Sequence, residues 1–456
     1  MGDALYCAVR AFARLWIWIF FRRILVRHLE RVPLRGPVLL AMNHPNNLID
    51  ALIIGAIIRR KIHYLATAAL FENPFLAAFL GAMGVIQIHR RQDTAEPTER
   101  NAAAFEACYQ ALDAGAVIGI YPEGTTHAEP RVQRIRTGTA RIVLEAEARH
   151  GGRLGVRLIP VGLTFAARKS FRSPIVLSFG EPVALAPHVA RHATAPGEAM
   201  EGLTDALQAA MKAQIPHVER PDLTSLVRDV EALYGGDLIR MLMASRGLTP
   251  REIDPLRLSQ KIVAGIHYYD AHDPERLVNI RRYLDRYERV LRMLHLKDEA
   301  LHREQGAWTL GRHLWSALLG LLGFPLFLYG VLMNLLADSL PRFLSRRLAR
   351  KETDYATTKL LLSVVAFPLF YGLQTWLVWR AFGAARGLIY GVSLPLSGLF
   401  ALRYWAEIRG MARSLRVSYL NLTRHRMVTS LLGERERLIA EFDAARDDFL
   451  LATREP

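Results

Sequence analysis

Residues 38–50, Val38-Leu39-Leu40-Ala41-Met42-Asn43-His44-Pro45-Asn46-Asn47-Leu48-Ile49-Asp50, decide the fold of this 456-residue chain. The first five residues form an apolar run that is typical of a buried strand, and Pro45 with the two asparagines after it favours a turn. A helix is expected to begin near Leu48, with Asp50 in its first turn. The pattern therefore places one imidazole and one carboxylate together at the carboxyl end of a strand, where open α/β sheets bind their ligands.

The pairing of His44 with Asp50 has a catalytic and a structural interpretation. A carboxylate that holds a histidine fixes its tautomer and stabilises the imidazolium, so the pair fits a general base. The same pair also fits a hydrogen bond that only supports the turn. The chain has no Gly-x-Ser-x-Gly sequence, and Cys7 and Cys108 lie in patterns of ordinary helix faces. If the dyad is catalytic, the nucleophile therefore belongs to the substrate.

Strand patterns alternate with helix patterns further along, which favours a largely parallel sheet with helices on both faces. The strand Gly84–Arg90 ends in an arginine that can bind a phosphate through two hydrogen bonds, although a solvated strand end is the plainer interpretation. The strand Val117–Tyr121 leads into Pro122-Glu123-Gly124-Thr125-Thr126-His127, a tight loop whose backbone amides suit an anion. Glu123 is expected either to bind a substrate hydroxyl or to hold this loop. Three arginines follow the loop: Arg131, Arg134 and Arg136.

Four blocks in this order resemble the phospholipid/glycerol acyltransferase superfamily: His44…Asp50, Gly84-x-Ile86-x-Ile88-x-Arg90, Tyr121-Pro-Glu-Gly-Thr125 and Ile159-Pro-Val-Gly162. They cover residues 35–185, which is under half of the chain. The resemblance implies an α/β fold, a mostly parallel sheet flanked by helices. It also implies transfer of a fatty acyl group from an acyl-CoA or acyl-carrier-protein thioester to a glycerophosphate hydroxyl, with no cofactor besides that co-substrate.

The resemblance also implies roles for single residues of this chain. His44 is the base that deprotonates the hydroxyl, and Asp50 orients it. The acceptor is expected to be bound by Asn46, Arg90, Glu123, Gly124, Thr125, Arg134 and Arg136.

Two departures from the family pattern bear on the substrate. Five residues separate His44 from Asp50 where the family commonly has four, and Thr126, followed by His127, stands where an arginine is usual. Both features are similar to the fungal and bacterial branch that acylates glycerol 3-phosphate or dihydroxyacetone phosphate. We therefore expect first-step acylation of glycerol 3-phosphate. The alternative is acylation of lysophosphatidate, because both acceptors carry the same phosphate; an alternative of another class is a non-catalytic lipid-binding membrane protein.

The composition narrows the partners. The chain is 51% hydrophobic and has a net charge of +16, mostly from arginine. A positive charge of this size fits one of three kinds of partner: nucleic acid, a membrane surface or a phosphorylated substrate. We expect a phospholipid membrane and no nucleic acid, because the basic residues accompany apolar runs. No cluster of metal-ligating residues is evident, so no metal site is expected. Two distant cysteines fit a reducing cytosol.

The rest of the chain is expected to be helical. Between Ala11 and Arg27, aromatic residues alternate with arginines around an uncharged core too short to span a bilayer; this predicts an interfacial helix with its arginines on phosphates, or else a buried packing helix. Candidate helices follow at Leu223–Met243 and Leu256–Leu296. The expected divisions are an interfacial helix (1–34), the acyltransferase domain (35–196), a helical region (197–308), membrane helices (309–405) and a basic cytosolic tail (406–456).

Three uncharged runs lie in the predicted membrane region: Leu314–Ala337, Leu360–Trp379 and Gly387–Leu402. A full crossing needs about 20 residues. Basic residues follow the first and the third run, and such residues prefer the cytosol. Because three full crossings would put these residues on the opposite side from the catalytic domain, which is also expected in the cytosol, we expect the first run to be re-entrant or to lie along the membrane. The other two then form a crossing hairpin with its outer turn near Ala381–Ala385, in what we take to be the cytoplasmic membrane.

Overall fold

The computed structural model of the chain describes residues 2–21, 23–89, 101–127, 129–165, 174–249, 252–296, 298, 310–349, 354–423 and 425–453. The chain separates into two compact units. The sheet domain comprises Met1–Thr224 and Ala349–Thr357, and the helical domain comprises Ser225–Leu348 and Thr358–Pro456. The short stretch at Ala349–Thr357 lies inside the predicted membrane region but packs with the sheet domain.

The sheet domain is built on a seven-stranded sheet, in the part of the chain described, with the order β1-β7-β6-β2-β5-β3-β4. Only β6 and β7 pair antiparallel; the other neighbours are parallel. The prediction of a mostly parallel sheet flanked by helices is therefore confirmed. The strands are β1 (Ile24–Arg27), β2 (Val38–Met42), β3 (Ile62–Thr67), β4 (Ile86–Ile88), β5 (Val117–Ile120), β6 (Arg157–Phe165) and β7 (Ile175–Phe179).

Strand β2 lies in the middle of the sheet and is buried along its whole length. Its side chains alternate between two cores, as the pleat of a strand requires. Leu39 and Ala41 pack into the core on one face, and Val38, Leu40 and Met42 pack into the core on the other. An unbroken apolar run is thus the signature of a strand that has helices on both of its faces.

Seven α-helices of the sheet domain are described. Helix α3 shows why they begin where they do: the side chain of Asn73 accepts the backbone N–H groups of Phe75 and Leu76, and Pro74 occupies the first turn. The helices are α1 (Gly2–Phe20), α2 (Leu48–Ile57), α3 (Pro74–Met83), α4 (Ala102–Asp113), α5 (Gly138–Arg149), α6 (Ala186–His192) and α7 (Pro196–Lys212); 3₁₀ turns lie at Leu29–Arg31, Ala68–Phe71 and Pro221–Leu223.

The N-terminal helix differs from its prediction at its bounds and in two of its arginines. It ends at Phe20, and Ile24–Arg27 forms strand β1 beside β7, because the β-branched and apolar residues there pair with a strand that is distant in sequence. Arg10 and Arg14 donate to the carbonyl oxygens of Arg59 and Ala56, each at 2.9 Å. They therefore bond the carboxyl end of α2, where carbonyl groups lack partners within the helix.

The helical domain begins with three helices: α8 (Thr224–Arg246), α9 (Pro255–His272) and α10 (Pro274–Met293). The single helix predicted over Leu256–Leu296 is wrong, because the chain breaks at Asp273. The side chain of Asp273 accepts the N–H of Arg276, and Pro274 occupies the first position of α10. This is an ordinary start signal for a helix.

The chain then forms four long helices: α11 (Leu310–Leu348), α12 (Asp354–Phe382), α13 (Ala384–Thr423) and α14 (His425–Ala452). In the described residues, three stretches are long and apolar enough to cross a membrane: Gly320–Leu348, Asp354–Phe382 and Ala384–Ala412. Gly383 alone joins α12 to α13, with a φ of 88° that favours glycine. A Cβ added at Gly387 would lie 2.8 Å from that of Trp379, so the two helices fold back closely on each other.

Candidate active site

The carboxyl ends of β2, β5 and β6 meet at the centre of one edge of the sheet. Ala41 pairs with Ile120 of β5, and Met42 pairs with Val161 of β6. The residues that follow β2 and β5 therefore emerge side by side. These residues include His44 and the loop from Tyr121 onward, which is the location expected for a ligand site in a parallel sheet.

The predicted dyad is formed. The Nδ1 atom of His44 lies 2.9 Å from Oδ2 of Asp50, whose side chain is fully buried in the first turn of α2. The same oxygen accepts the backbone N–H of Asn46 at 2.8 Å. The amino end of α2 adds favourable electrostatics for this carboxylate. No described residue hydrogen-bonds the Nε2 atom of His44, so the second nitrogen of the ring is available to a ligand.

Tyr121 supports the other side of the imidazole. Its ring stacks on that of His44 with 3.8 Å between centroids and 19° between planes. The Tyr121 hydroxyl is buried and makes no hydrogen bond with a described residue. Burial holds the pKa of Tyr121 well above its usual range, and the nearby Tyr64 and Asp50 raise it further, so the phenol stays protonated. Sequence reasoning used Tyr121 only as part of a block and missed this contact.

The turn between His44 and Asp50 includes Asn47. Its backbone has a φ of 51° and a ψ of −132°, a conformation that non-glycine residues rarely adopt. The side chain of Asn47 donates to Oδ1 of Asp354 at 3.0 Å. Asp354 belongs to the stretch that packs with the sheet domain, although it is distant in sequence. The Nδ2 group of Asn46 is buried without an acceptor among the described residues.

The loop after β5 is held by Glu123. This fully buried carboxylate pairs with His127 and accepts the backbone N–H of Gln133 at 2.9 Å. Of the two roles expected for Glu123, the geometry shows the one that holds the loop. Its other oxygen, Oε1, is buried and has no hydrogen-bond partner among the described residues, which leaves an acceptor for a ligand hydroxyl.

Gly124 and Arg136 come together next to Glu123. Gly124 has a φ of 66°, and a Cβ there would lie 3.3 Å from the guanidinium of Arg136. The N–H of Arg136 bonds the carbonyl of Pro122 at 3.0 Å, which fixes the backbone of this arginine beside the loop. Arg134 and Arg136 are both exposed, and Thr125 is half-buried in the same loop. The structure thus places Arg136 against the loop, whereas it shows no contact of Arg134 or Thr125 with the dyad.

Arg90 lies outside the described residues. The residue before it is anchored: the side chain of Asn101 accepts the N–H of His89 and donates to its carbonyl, both at 2.7 Å. Asn43 makes a similar two-way contact with Leu163 of β6, at 2.7 and 3.0 Å. Asn43 thus joins the residue before His44 to the neighbouring strand. An asparagine directly after a buried strand was the signal available for this role.

Among the described residues, neither cysteine supplies a nucleophile at this edge and no metal-binding group is found. Cys108 is buried in α4, and burial raises the pKa of its thiol to about 12, so it stays protonated and unreactive. Cys7 is exposed on α1 and forms no disulfide. No group of three or more histidine, cysteine or acidic side chains among the described residues is arranged to hold a metal ion. The site therefore consists of an oriented imidazole, a buried amide, a buried carboxylate oxygen and arginines.

Comparisons with known proteins show similarity to several acyltransferases. Glycerol-3-phosphate O-acyltransferase 1 of Saccharomyces cerevisiae is 20% identical over 484 residues, which cover 85% of this chain and 61% of that protein. A 1-acyl-sn-glycerol-3-phosphate acyltransferase of Borreliella burgdorferi is 27% identical over 225 residues, 49% of this chain and 76% of that protein. The crystal structure of PlsC, the LPA acyltransferase of Thermotoga maritima, aligns with a TM-score of 0.33 and 16% identity over 46% of this chain and 79% of that one.

The chain spans less than two thirds of the length of its fungal relatives, with 53%, 25% and 61% of three of them covered. A family model described as Acyltransferase matches residues 9–164. This stretch contains the dyad, the loop after β5 and all strands except β7 and the last residue of β6. Residues 9–164 are therefore an acyltransferase domain, and the resemblance to the phospholipid/glycerol acyltransferase superfamily is confirmed over this stretch.

Proposed function

We propose that the chain is a membrane-bound acyltransferase that moves a fatty acyl group from acyl-CoA or acyl carrier protein to a hydroxyl of glycerol 3-phosphate. The observation that carries the proposal is the dyad of His44 and the buried Asp50, whose atoms lie 2.9 Å apart at the carboxyl end of β2. The similarity to a yeast glycerol-3-phosphate acyltransferase over 85% of the chain supports this acceptor. The activity belongs to phosphatidic acid and phospholipid biosynthesis.

The proposed reaction uses the substrate hydroxyl as the nucleophile. The Nε2 atom of His44 takes the hydroxyl proton while the oxygen bonds to the thioester carbon. The resulting tetrahedral intermediate collapses, the carbon–sulfur bond breaks, and the thiolate leaves with the proton from Nε2. Asp50 bonds Nδ1 throughout, so it fixes the tautomer and stabilises the imidazolium. The base is regenerated after each transfer and no cofactor is consumed.

Binding of the acceptor is assigned to the groups around the dyad. Arg136 beside Gly124, together with Arg134 and Arg90, supplies positive charge for the phosphate. The free Oε1 of Glu123 and the buried Nδ2 of Asn46 are available to a glycerol hydroxyl. Gly124 and Thr125 shape the loop on which the acceptor rests.

Acylation of lysophosphatidate is the second candidate, because the Borreliella relative carries that activity in its name and 76% of its length is matched. The test uses the purified full-length chain with radiolabelled acyl-CoA or acyl carrier protein, offered glycerol 3-phosphate or lysophosphatidate. His44→Ala should abolish product, while His150→Ala, on a histidine at the end of α5, should not. Product from lysophosphatidate alone would move the assignment to the second acylation. No product with either donor would favour a non-catalytic lipid-binding protein.

The proposed location is the cytoplasmic membrane, with the sheet domain in the cytosol. Helix α1 contributes Phe12, Leu15 and Trp18 as exposed large side chains on one helix, which suits the bilayer interface. The orientation can be tested by labelling Arg347→Cys, an exposed position after the first apolar run, in a Cys7→Ser background. Label should reach it only after the membrane is permeabilised. Reaction in intact cells would contradict this orientation.

A further inference from the structure

The helical domain contains a cavity of about 590 Å³ between α8, α9, α10 and α14. Protein interiors normally contain few voids larger than a water molecule, whereas ligand sites have volumes of about 300–1,000 Å³. All of the residues that line this cavity belong to the helical domain. The cavity is therefore a site in its own right and is separate from the dyad.

The walls of the cavity are mostly apolar, and the three carboxylates that line it are bonded to protein groups: Glu252 to Thr249, Asp254 to the N–H of Leu256 and Asp447 to Arg446. Leu238, Ile266, Phe442 and Phe449 are among the buried side chains that line it. The hydroxyl of Tyr269 donates to the carbonyl of Ala445 at 2.9 Å. Tyr234 donates to Asp443 at 2.6 Å, and Arg446 bonds both of these residues. An apolar ligand can therefore contact these walls without depriving a buried polar group of a hydrogen bond.

Positive charge lies at one side of the same cavity. Arg257 and Lys261 are four residues apart on α9, so they share a face of that helix, and both are exposed while lining the cavity. Lys261 makes no hydrogen bond or ion pair with any residue that the structure describes. Arg257 lies 3.5 Å from Asp254, and its side chain is 79% exposed, so this pair is weak. An anionic group at the entrance would therefore meet one free ammonium and one loosely paired guanidinium.

We propose that this cavity binds one single-chain anionic lipid, with its acyl chain among the helices and its carboxylate or phosphate on Arg257 and Lys261. Both a free fatty acid and lysophosphatidate have this chemistry. The site is independent of acyl transfer at His44, so the proposal does not depend on the activity assigned to the sheet domain. It gives the helical domain a lipid-binding role of its own.

The chain offers a variant that fills the cavity without removing a contact. A Cβ at Gly265 would lie 4.0 Å from the ring of Phe449, which is ordinary contact, so the rest of a leucine side chain enters the cavity. Gly265→Leu also replaces a poor helix former within α9. Gly235 on α8 is a matched control, because it has open space around its Cβ position and does not line the cavity.

The experiment uses the full-length chain in lipid nanodiscs without an acyl donor, so that nothing is turned over. A 16-carbon fatty acid with a diazirine at its chain end is photo-crosslinked, and the labelled peptides are mapped by mass spectrometry. We expect label in the peptides of α9 and α14, reduced about ten-fold or more in Gly265→Leu and within about two-fold of the parent in Gly235→Leu. Label confined to other parts of the chain, or label in these helices that Gly265→Leu leaves unchanged, would overturn the proposal.

Competition then identifies the head group. Unlabelled palmitate and 1-palmitoyl lysophosphatidate should displace the probe. The more effective competitor shows whether the natural ligand is a fatty acid or a lysophosphatidate. Neutral monopalmitoylglycerol should compete more weakly than either. The double variant Arg257→Gln, Lys261→Gln should lower the affinity of the anionic competitors about three- to ten-fold, whereas Arg289→Gln on α10 should leave this affinity unchanged. Equal competition by the neutral lipid, or an unchanged affinity in the double variant, would contradict the assigned head-group contact.

Discussion

The two domains use apolar side chains in opposite ways. In the sheet domain, β2 buries all of its side chains and α2 buries one face, so that Leu39 and Ile53 are inaccessible. In the helical domain, α12 leaves Leu369 and Trp376 62% and 57% exposed. A water-soluble protein rarely exposes a continuous apolar surface of this kind, whereas a bilayer provides an apolar solvent for it. Apolar segments thus form a buried core in the sheet domain and a lipid-facing surface in the helical domain.

The buried polar groups around the dyad differ from those among the apolar helices. Near His44, single atoms of Asn46 and Glu123 have no hydrogen-bond partner among the described residues. Among the apolar helices, Asn334 donates to the carbonyls of Gly330 and Leu394 and accepts the hydroxyl of Tyr371. Unpaired polar atoms indicate a place for a ligand, and fully bonded ones indicate structure.

The largest effect expected is that of Asp50→Asn. The amide cannot stabilise the imidazolium of His44, so the rate of acyl transfer should fall about 10²–10⁴-fold. Glu147→Gln is the matched control, because this buried carboxylate accepts the N–H groups of Leu154 and Val156 and is not part of the dyad. It should cost about 1–3 kcal/mol of stability with kcat unchanged. Equal losses of activity in the two variants would break the distinction between a catalytic and a structural carboxylate.

A smaller effect is expected for alanine substitutions at glycines that lie against the backbone of another segment. A Cβ at Gly162 would lie 2.2 Å from the carbonyl oxygen of Gln214, and one at Gly330 would lie 2.3 Å from that of Ser397. Alanine at either position should therefore lower the free energy of unfolding by about 1–3 kcal/mol. Gly138→Ala and Gly372→Ala, which meet open space, serve as controls in the two domains. Thermal unfolding in detergent measures both pairs, and a neutral Gly330→Ala would show that α11 and α13 are not tightly packed.

Asn334→Leu should have a milder effect. It removes the contacts with Gly330, Leu394 and Tyr371, and a hydrogen bond between membrane helices contributes about 0.6 kcal/mol and at most about 1.7. The unfolding midpoint should fall while kcat per folded molecule stays the same. A change in kcat without a change in stability would give this network a role in function.

The smallest effect concerns pH. Burial lowers the pKa of His63, and the positive charge of the nearby Lys61 lowers it further. The hydrogen bond from Nδ1 of His63 to the carbonyl of Gly84 raises this pKa but does not cancel the effect of burial. The folded state therefore prefers the neutral ring, so His63 contributes stability above its unfolded pKa of about 6.5 that is lost as the pH falls further. His63→Gln should flatten the loss of stability on acidification between about pH 6.5 and 5. An unchanged slope in thermal unfolding curves would remove His63 as its source.

The sequence predicts those parts of the molecule that depend on local pattern. The dyad is predictable because His44 and Asp50 flank one turn, and the turn after α12 is marked by Gly383 between two apolar runs. The stacking of Tyr121 on His44 depends on the order of strands, which puts β5 beside β2, and no local pattern encodes that order. The end of α1 at Phe20 was missed for the same reason, because β1 requires its partner β7. The break at Asp273 was predictable, since Asp273-Pro274 is a start signal.

The hydrogen bond from Asn47 to Asp354 bears on how the protein can be divided. The two residues are separated by 307 positions, yet the second supports the turn between His44 and Asp50 from within the same domain. A fragment that ends at Thr224 retains every strand and the dyad but lacks this support. Truncations and domain swaps that end at Thr224 therefore remove the partner of Asn47 from the turn. An engineered form of the sheet domain therefore needs both of its stretches, Met1–Thr224 and Ala349–Thr357.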